Sequence, residues 1–197
     1  YNNSKNGGAA FNPVSTVAYK FKRDENKIKD EIKNLSESEA VSFKNLEANR
    51  IYLKNKDGMP SVYQFSVESS GQYDNTELIK LSINYLYDII DKFEIAIQQD
   101  GTDEVEIIES DTKMKSFDFV SNISGDTLGN IISQYALDND EVTFCGYNIP
   151  HPLERKMIIR ISTQKNTIND VKMVMLKNIG IIKNIIQNIA TNWEKIS

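Results

Sequence analysis

Cysteine and histidine are almost absent from this sequence. Its 197 residues include one cysteine, Cys145, and one histidine, His151. An internal disulfide needs two cysteines, and zinc or iron–sulfur sites need several Cys or His ligands, so these sites are excluded. Any Ser/His/Asp or Cys/His catalytic site would have to use His151. A chain of this length can bury about 70% of its unfolded surface, so we expect a fold stabilised by an ordinary hydrophobic core.

Positive charge and long apolar runs are also scarce. The 23 Lys and Arg residues are outnumbered by 28 Asp and Glu residues, giving a net charge of −5. This balance argues against a broad nucleic-acid-binding face, because such faces need clustered Lys and Arg, and it leaves room only for a local patch. No segment approaches the roughly 18 consecutive apolar residues of a membrane span, and no signal-peptide pattern is present. We expect an intracellular protein without membrane contact.

Hydrophobic periodicity divides the chain into two units, each with strands followed by a long helix. The polar turn around Gly101 predicts a boundary between residues 1–101 and 102–197. In the first unit, residues 22–50 carry dense mixed charge, which predicts a solvated insertion or loop with at most one short helix. Alternating apolar residues on either side of this segment predict two half-buried strands, marked by Val17, Tyr19 and Phe21 and by Tyr63, Phe65 and Val67.

Two long apolar stripes predict two long helices. Asp74 with Glu77, and Thr167 with Asp170, resemble capping boxes at their starts. The stripes are Ile79, Ile83, Leu86, Ile90, Phe93 and Ile97 in the first helix, and Ile168, Val171, Met175, Ile179, Ile182, Ile186, Ile189 and Trp193 in the second. The second stripe is too long for a small sheet to cover alone. It indicates either helix-on-helix contact at a subunit interface or core packing within the chain, and both remain open.

The rest of the second unit is expected to form four strands around a short helix. The strands are expected near residues 105–108, 117–119, 142–144 and 157–161. Asp126 can cap the helix, whose buried face comprises Leu128, Ile131, Ile132, Tyr135 and Ala136. The fold class is therefore α+β, with small sheets packed against long helices.

Residues 124–130 offer a glycine-containing turn at a helix start. Such a turn can bind a phosphate through free backbone N–H groups. The segment lacks a Gly-Lys-Ser/Thr or G-x-G-x-x-G pattern, and Asp126 places a negative charge there. The alternative, which we favour, is structural. Gly129 would let the helix approach another backbone closely, while Thr127 and Asn130 satisfy nearby polar groups.

Other candidate chemical groups have plain structural explanations. His151 lies between Pro150 and Pro152 without an Asp or Ser motif to orient it, so we expect no catalytic role. Cys145, between Phe144 and Gly146, is expected to be a small buried hydrophobe. Four carboxylates could bind a metal through oxygen ligands, but they lack calcium-loop spacing and are expected to form a solvated edge. They are Glu104, Glu106, Glu109 and Asp111.

Several motifs of the second unit together resemble one protein family. They are Asp126-Thr127-Leu128-Gly129-Asn130, Val142, Phe144 to Tyr147, Ile149 to Glu154, Lys156, and Arg160 through Thr163. They closely resemble the small α-like subunit of multisubunit RNA polymerases, which is the eleventh subunit of the eukaryotic nuclear enzymes and has an archaeal counterpart. The resemblance covers residues 105–195. One departure is Asp126, where the family commonly has histidine.

The first unit resembles the C-terminal half of the larger α-like subunit, which is the third subunit of the nuclear enzymes and also has an archaeal counterpart. The motifs are residues 8–14 and residues 63–71. Large cytoplasmic DNA viruses carry both subunits on one polypeptide. The resemblance therefore implies a viral protein that is located in the host cytoplasm and in the virion. A cellular protein would be nuclear. Because the chain begins at Tyr1, we expect the family's N-terminal segment to be cleaved, separately encoded or outside this sequence.

The resemblance implies a non-catalytic assembly subunit of a DNA-directed RNA polymerase, built from two tandem α-like dimerisation units with small antiparallel sheets. Helices 75–97 and 167–194 would pack as the halves of a pseudo-symmetric dimer. The second-largest and largest subunits would dock on this dimer beside small subunits. DNA contact would be indirect, and catalytic magnesium would belong to the largest subunit, leaving this chain without a cofactor.

The resemblance and the apolar stripes assign a set of interface residues. They are Asp126, Thr127, Leu128, Gly129, Asn130, Ile132, Tyr135, Gly146, Tyr147, Pro150, His151 and Pro152, with Ile83, Ile90, Ile179, Ile182 and Ile186 on the long helices. Two alternatives remain: a stand-alone regulatory module that binds a protein partner through the same fold, and an enzyme that binds a phosphorylated small molecule at residues 125–130.

Overall fold

A computed structural model describes residues 12–99, 104–110, 112–123, 125–151 and 156–196. Packing divides the chain into two compact units, Tyr1–Leu78 and Ile79–Ser197. The division falls inside the first long helix, earlier than the boundary expected at residue 101, which lies outside the described residues. The interpretation of residues 1–101 and 102–197 as two subunit-like domains stays a prediction.

Unit 1 contains an antiparallel pair of strands, β1 (Val14–Phe21) and β2 (Tyr63–Ser69). Both predicted strands are present, but the predicted half-burial is wrong for several side chains. Val17, Tyr19 and Phe65 are 64%, 63% and 66% exposed. Val17 lies opposite Val67, and Tyr19 lies opposite Phe65, so these side chains share one face of the sheet. Alternation fixes which residues share a face, but a two-stranded sheet does not by itself bury that face.

The charged segment between these strands is helical, contrary to the predicted loop with at most one short helix. It forms α1 (Glu25–Ile32), α2 (Glu37–Leu46) and a 3-10 turn at Ala48–Arg50. Caps start both helices. Asp24 Oδ1 accepts from the Lys27 N–H at 3.2 Å, and Ser36 and Glu39 form a capping box. The apolar periodicity is weak because each element buries so little: Ile28 in α1, Ala48 in the 3-10 turn and no residue of α2.

The first long helix is α3 (Asn75–Gln98), and its predicted start is confirmed. Asp74 Oδ2 accepts from the Thr76 N–H at 3.0 Å, which satisfies one of the free donors at the helix start.

Unit 2 contains a four-stranded antiparallel sheet in the order β3-β4-β6-β5. The strands are β3 (Val105–Glu109), β4 (Phe117–Ser121), β5 (Val142–Asn148) and β6 (Met157–Thr163). The helices are α4 (Asp126–Leu137) and α5 (Ile168–Glu194). The predicted strands and helices of this unit are confirmed, as is the α+β class with small antiparallel sheets packed against helices. The predicted cap of α4 is wrong: Asp126 is the first helical residue, and the N-cap position is Gly125, which has no side chain to accept a hydrogen bond.

The core of unit 2 lies between one face of this sheet and the helices. Sheet residues at its centre include Phe119 and Ile159, which are opposite each other in the β4–β6 register. Helix α4 contributes Leu128, Ile132 and Ala136, and α3 contributes Ile90, Phe93, Ala96 and Ile97. Helix α5 contributes Val171, Val174, Met175, Ile179, Ile182 and Ile186. Three helices and one sheet therefore share a single core.

The start of α5 differs in one respect from the predicted capping box. Thr167 Oγ1 accepts from the Asp170 N–H at 3.3 Å, as expected. The Asp170 carboxylate, however, accepts a hydrogen bond from Thr163 Oγ1 at 2.5 Å. This bond ties the helix to the end of β6. Within the described residues, no helix combines the length and apolar character that a membrane span requires.

Candidate subunit-interaction site

The start of α4 packs against the end of β5 through Gly129 and Tyr147. A Cβ atom at Gly129 would overlap the Tyr147 ring and lie 3.0 Å from the Met157 sulfur. The predicted close approach at Gly129 is therefore correct, but its predicted partner is wrong. The helix approaches an aromatic side chain and a thioether, not another backbone.

Tyr147 also contacts the first turn of α4 through its hydroxyl. The hydroxyl lies 3.5 Å from Asp126 Oδ1, at the limit of a hydrogen bond. Asp126 thus places a carboxylate at the positive end of the helix dipole, where a bound phosphate would have to sit. This arrangement disfavours a phosphate site over residues 125–130.

The predicted interface residues of the motif separate into buried and exposed groups. Leu128, Gly129 and Ile132 are buried in the core of unit 2, and Tyr135, Gly146 and Tyr147 are half-buried. The exposed residues are Asp126, Thr127, Asn130, Pro150 and His151, while Pro152 lies outside the described residues. The exposed group offers the most surface to another polypeptide, and the three residues buried in the core offer almost none.

The predicted helix residues meet inside unit 2. Ile90, Ile179, Ile182 and Ile186 are buried in its core, and Ile83 packs against that core. Of the two explanations for the long stripes, the structure shows core packing within the chain, because the two stripes share the core of unit 2. Two residues beyond this buried contact are exposed: Tyr85, which precedes Ile90 in α3, and Ile189, which follows Ile186 in α5.

Polar contacts fix how α3 and α5 pair. Lys183 Nζ donates to Asp91 Oδ1 at 2.6 Å and to Glu94 Oε2 at 2.7 Å. Gln187 Nε2 donates to the Tyr87 hydroxyl at 3.2 Å. Later residues of α5 meet earlier residues of α3, so the helices run antiparallel. Burial lowers the pKa of Lys183, but the hydrogen bonds and charges of Asp91 and Glu94 outweigh burial and hold this pKa above its ordinary value.

An ion pair that the sequence did not predict lies on the other face of the sheet. Arg160 Nε and Nη2 donate to the two carboxylate oxygens of Asp118, each at 2.7 Å. The residues are directly opposite in the β4–β6 register. The hydrogen bond to Asp118 raises the pKa of Arg160. A bidentate pair of this kind fixes the strand register as well as the side chains.

The structure buries the candidate nucleophile and exposes three of the four candidate carboxylates. Cys145 is buried, and burial raises the pKa of its thiol to about 12, so the thiol stays protonated at neutral pH. Glu104, Glu106 and Glu109 are exposed, while Asp111 lies outside the described residues. Among the residues that the structure describes, no group of three His, Cys, Asp or Glu side chains is placed to hold a metal ion.

Comparison with known proteins points to one family. Residues 116–192 match the sequence model described as the RNA polymerase Rpb3/Rpb11 dimerisation domain. This segment contains β4, α4, β5, β6 and most of α5. Unit 1, α3 and β3 lie outside it.

Curated relatives also match part of the chain. The DNA-directed RNA polymerase II subunit rpb11 of Dictyostelium discoideum is 36% identical over 78 residues, or 39% of this chain and 64% of that protein. The DNA-directed RNA polymerases I and III subunit RPAC2 of Schizosaccharomyces pombe is 36% identical over 81 residues, or 41% of this chain and 64% of that protein. A probable RPAC2 of Caenorhabditis elegans is 41% identical over 69 residues, or 35% of this chain and 46% of that protein.

The matched segments span between 46% and 64% of these three relatives. The segment matched by the family model, residues 116–192, includes the Gly129–Tyr147 contact and the α5 side of the helix pair. Over residues 116–192, the chain is therefore similar to the RNA polymerase Rpb3/Rpb11 dimerisation domain, and part of the chain is similar to RNA polymerase subunits of the Rpb11 and RPAC2 type.

Proposed function

We propose that this chain is a non-catalytic assembly subunit of a DNA-directed RNA polymerase, and that it carries both α-like dimerisation units on one polypeptide. The observation that supports this most strongly is the match of residues 116–192 to the Rpb3/Rpb11 dimerisation domain. In the structure, this segment shares its core with α3, which lies outside the match.

An internal structural repeat supports the presence of a second α-like unit. The order β1, β2, α3 repeats the order β5, β6, α5, and each pair of strands is antiparallel. The two pairs also share an irregularity. The register shifts between Val14 and Thr16 in β1, and between Val142 and Phe144 in β5. Bulges are local features of particular strands, so their shared position supports a common β–β–α plan.

Helices α3 and α5 are then equivalent elements of the two repeats. Their antiparallel contact, fixed by Lys183 with Asp91 and Glu94, is the proposed dimer seam. Joining both halves in one chain makes their association intramolecular, which raises their effective concentration. Dimerisation would therefore not depend on the concentration of a second α-like subunit.

The exposed residues of the motif, at the start of α4 and after the end of β5, are the proposed contact with other polymerase subunits. They are Asp126, Thr127, Asn130, Pro150 and His151. The proposed partners are the second-largest and largest subunits, with small subunits alongside them. DNA is reached only through the complex, and magnesium belongs to the largest subunit, so this chain needs no cofactor. We place the complex in the host cytoplasm and the virion of a large DNA virus, or in the nucleus if the protein is cellular.

Purification of the tagged full chain from its native source, followed by mass spectrometry under native conditions, tests this proposal. We expect both large polymerase subunits to accompany the chain in equal amounts. Recovery of the chain with an unrelated protein and without large polymerase subunits would contradict the assembly role and would favour the stand-alone regulatory module.

A further inference from the structure

Strand β5 lies at one edge of the sheet in unit 2. Within the part of the chain that the structure describes, it pairs with β6 on one side and with no strand on the other. An unpaired edge presents backbone N–H and C=O groups that can pair with a strand of another chain. The outer edge of β5 is therefore a candidate interaction surface, and it belongs to a single compact unit.

Strand β5 lacks the usual protection of an edge strand. Proteins commonly prevent edge-to-edge pairing with charged side chains or proline. The other edge strands carry charges: Lys20 in β1, Glu68 in β2, and Glu106 and Glu109 in β3. Strand β5 has the sequence VTFCGYN, with neither a charge nor a proline. Two β5 edges can therefore meet without bringing like charges together.

The helix beside this edge is also nearly uncharged. Helix α4 packs on β5 through the contact of Gly129 with Tyr147. Its 12 residues include one charged side chain, Asp126, although 26% of the whole chain is charged. The exposed uncharged residues of α4 are Thr127, Asn130, Gln134 and Leu137. Depletion of charge is typical of the surfaces that proteins bury in an interface.

The regular part of β5 indicates how two copies would pair. The β5–β6 register shifts between Val142 and Phe144, and it then continues without a break from Phe144 to Asn148. The midpoint of this regular part is Gly146. A two-fold axis pairs a strand with itself in the antiparallel sense. Pairing about Gly146 places Gly146 opposite its own equivalent, and Phe144 opposite Asn148 of the second copy.

Side-chain shape favours this register. Gly146 is opposite Arg160 in the β5–β6 register, so it lies on the outer face of the sheet. A pocket of about 260 Å³ on this face is lined by Phe144, Asn148 and Arg160 among other residues. The Phe144 ring lies 3.4 Å from the position of a Cβ atom at Gly146. Aromatic rings that cover an edge glycine help to fix strand register. In the pair of copies, one Phe144 ring would cover the facing glycines from each side.

We propose that the free chain forms a symmetric dimer, in which residues 144–148 of β5 pair antiparallel with the same residues of a second copy about Gly146. The two four-stranded sheets then form one continuous sheet. This dimer does not rest on the proposed assembly role. Where that role holds, Pro150 and His151 of the proposed polymerase contact follow β5 closely, so we expect other polymerase subunits to displace the second copy.

Sedimentation velocity of the full chain tests the dimer. Five paired residues make a small interface, for which we expect weak association. The chain is therefore measured up to about 100 µM, a hundredfold above a Kd of about 1 µM. The mass should rise from 22.4 kDa towards twice that value as the concentration increases. A chain that stays monomeric over the whole range would overturn the proposal.

A matched pair of lysine variants tests which edge pairs. Phe144→Lys removes the ring and places a charge on the β5 edge, so it should raise the Kd by about tenfold or more. Ile108→Lys is the control. Ile108 and Phe144 are each 40% exposed, and Ile108 lies on the same face at the opposite edge, in β3. Ile108→Lys should leave the Kd unchanged, and circular dichroism confirms that both variants are folded. Equal effects of the two substitutions would contradict pairing through β5.

A cysteine on the two-fold axis tests the register. Facing Cα atoms of an antiparallel pair are about 4.5–5.5 Å apart, which is within the range of a disulfide. Gly146→Cys should therefore form an intermolecular disulfide under mild oxidation, visible as a dimer on a non-reducing gel. Ile108→Cys should not, and the native Cys145 is buried. Absence of this disulfide in a Gly146→Cys chain that still dimerises would contradict the proposed pairing.

Discussion

Gly129 of α4 lies directly against the ring of Tyr147 of β5, with no room between them for a methyl group. The contact joins two motifs that lie apart in the sequence, and it sets how closely the helix can approach the sheet.

Gly129→Ala should destabilise unit 2, because the added methyl group forces the Tyr147 ring or the helix to move. Overpacking of this kind costs about 1–3 kcal/mol. Urea unfolding followed by circular dichroism measures this loss as a lower midpoint. Gly180→Ala is the matched control. Gly180 is also a helical glycine, but a Cβ there has nothing within 4 Å, so Ala should be neutral or stabilising. Equal midpoints for Gly129→Ala and the unaltered chain would refute the contact.

Removal of Arg160 should leave the Asp118 carboxylate unpaired on the outer sheet face. Arg160→Leu is therefore expected to lower the free energy of unfolding by about 1–3 kcal/mol. Adding Asp118→Leu should recover part of this loss, because the unpaired charge is then gone. The four proteins of this double-mutant cycle can be compared by urea unfolding. Purely additive losses would mean that the two residues do not interact.

Reversal of charge at Lys183 should separate α3 from α5. Lys183→Glu places a third carboxylate beside Asp91 and Glu94, so we expect a large loss of thermal stability. Lys92→Glu changes the net charge equally at an exposed position of α3 and should have little effect. Differential scanning calorimetry compares the two. The helix pairing would be wrong if both variants melted at the same temperature.

Burial of Cys145 predicts slow thiol chemistry and a specific pH dependence. Its pKa is about 12 in the folded chain, against an ordinary value of 9.0, because burial disfavours the thiolate. Between these values the unfolded thiol loses its proton while the folded thiol keeps it. This group therefore stabilises the fold fully below pH 9, and its contribution falls as the pH rises towards 12. Iodoacetamide at pH 8 should label the urea-unfolded chain quickly and the native chain slowly. Rapid labelling of the native chain would show that the thiol is accessible.

Sequence periodicity is sufficient to predict the long elements. The stripes of α3 and α5 and the alternation in β1 and β2 repeat often enough to be recognised without a structure. The short helices of the charged segment escape such a prediction, because α1 buries only Ile28 and α2 buries nothing. Alternation in β1 and β2 predicts the correct shared face, but nothing local to these strands reveals whether another layer covers that face.

Contacts between distant residues are harder to predict. Asp118 and Arg160 meet because β4 pairs with β6, and neither strand encodes that register locally. The sequence predicts that the helix approaches another element closely at Gly129. Which residue it meets there, Tyr147, depends on how α4 lies on the sheet. The sequence predicts strands followed by a long helix in each unit, but it does not show which positions of the two units are equivalent, because many of these positions carry different side chains. Phe65 in β2, for example, corresponds to Ile159 in β6 when the two register shifts are aligned.

The central claim is that one polypeptide supplies both halves of the α-like dimer. Native mass spectrometry of the polymerase purified through this chain measures it directly, through the number of copies of each subunit. The account predicts one copy of this chain with one copy of each large subunit, and no separate α-like subunit. Two copies of this chain, or one copy beside a separate α-like subunit, would contradict it.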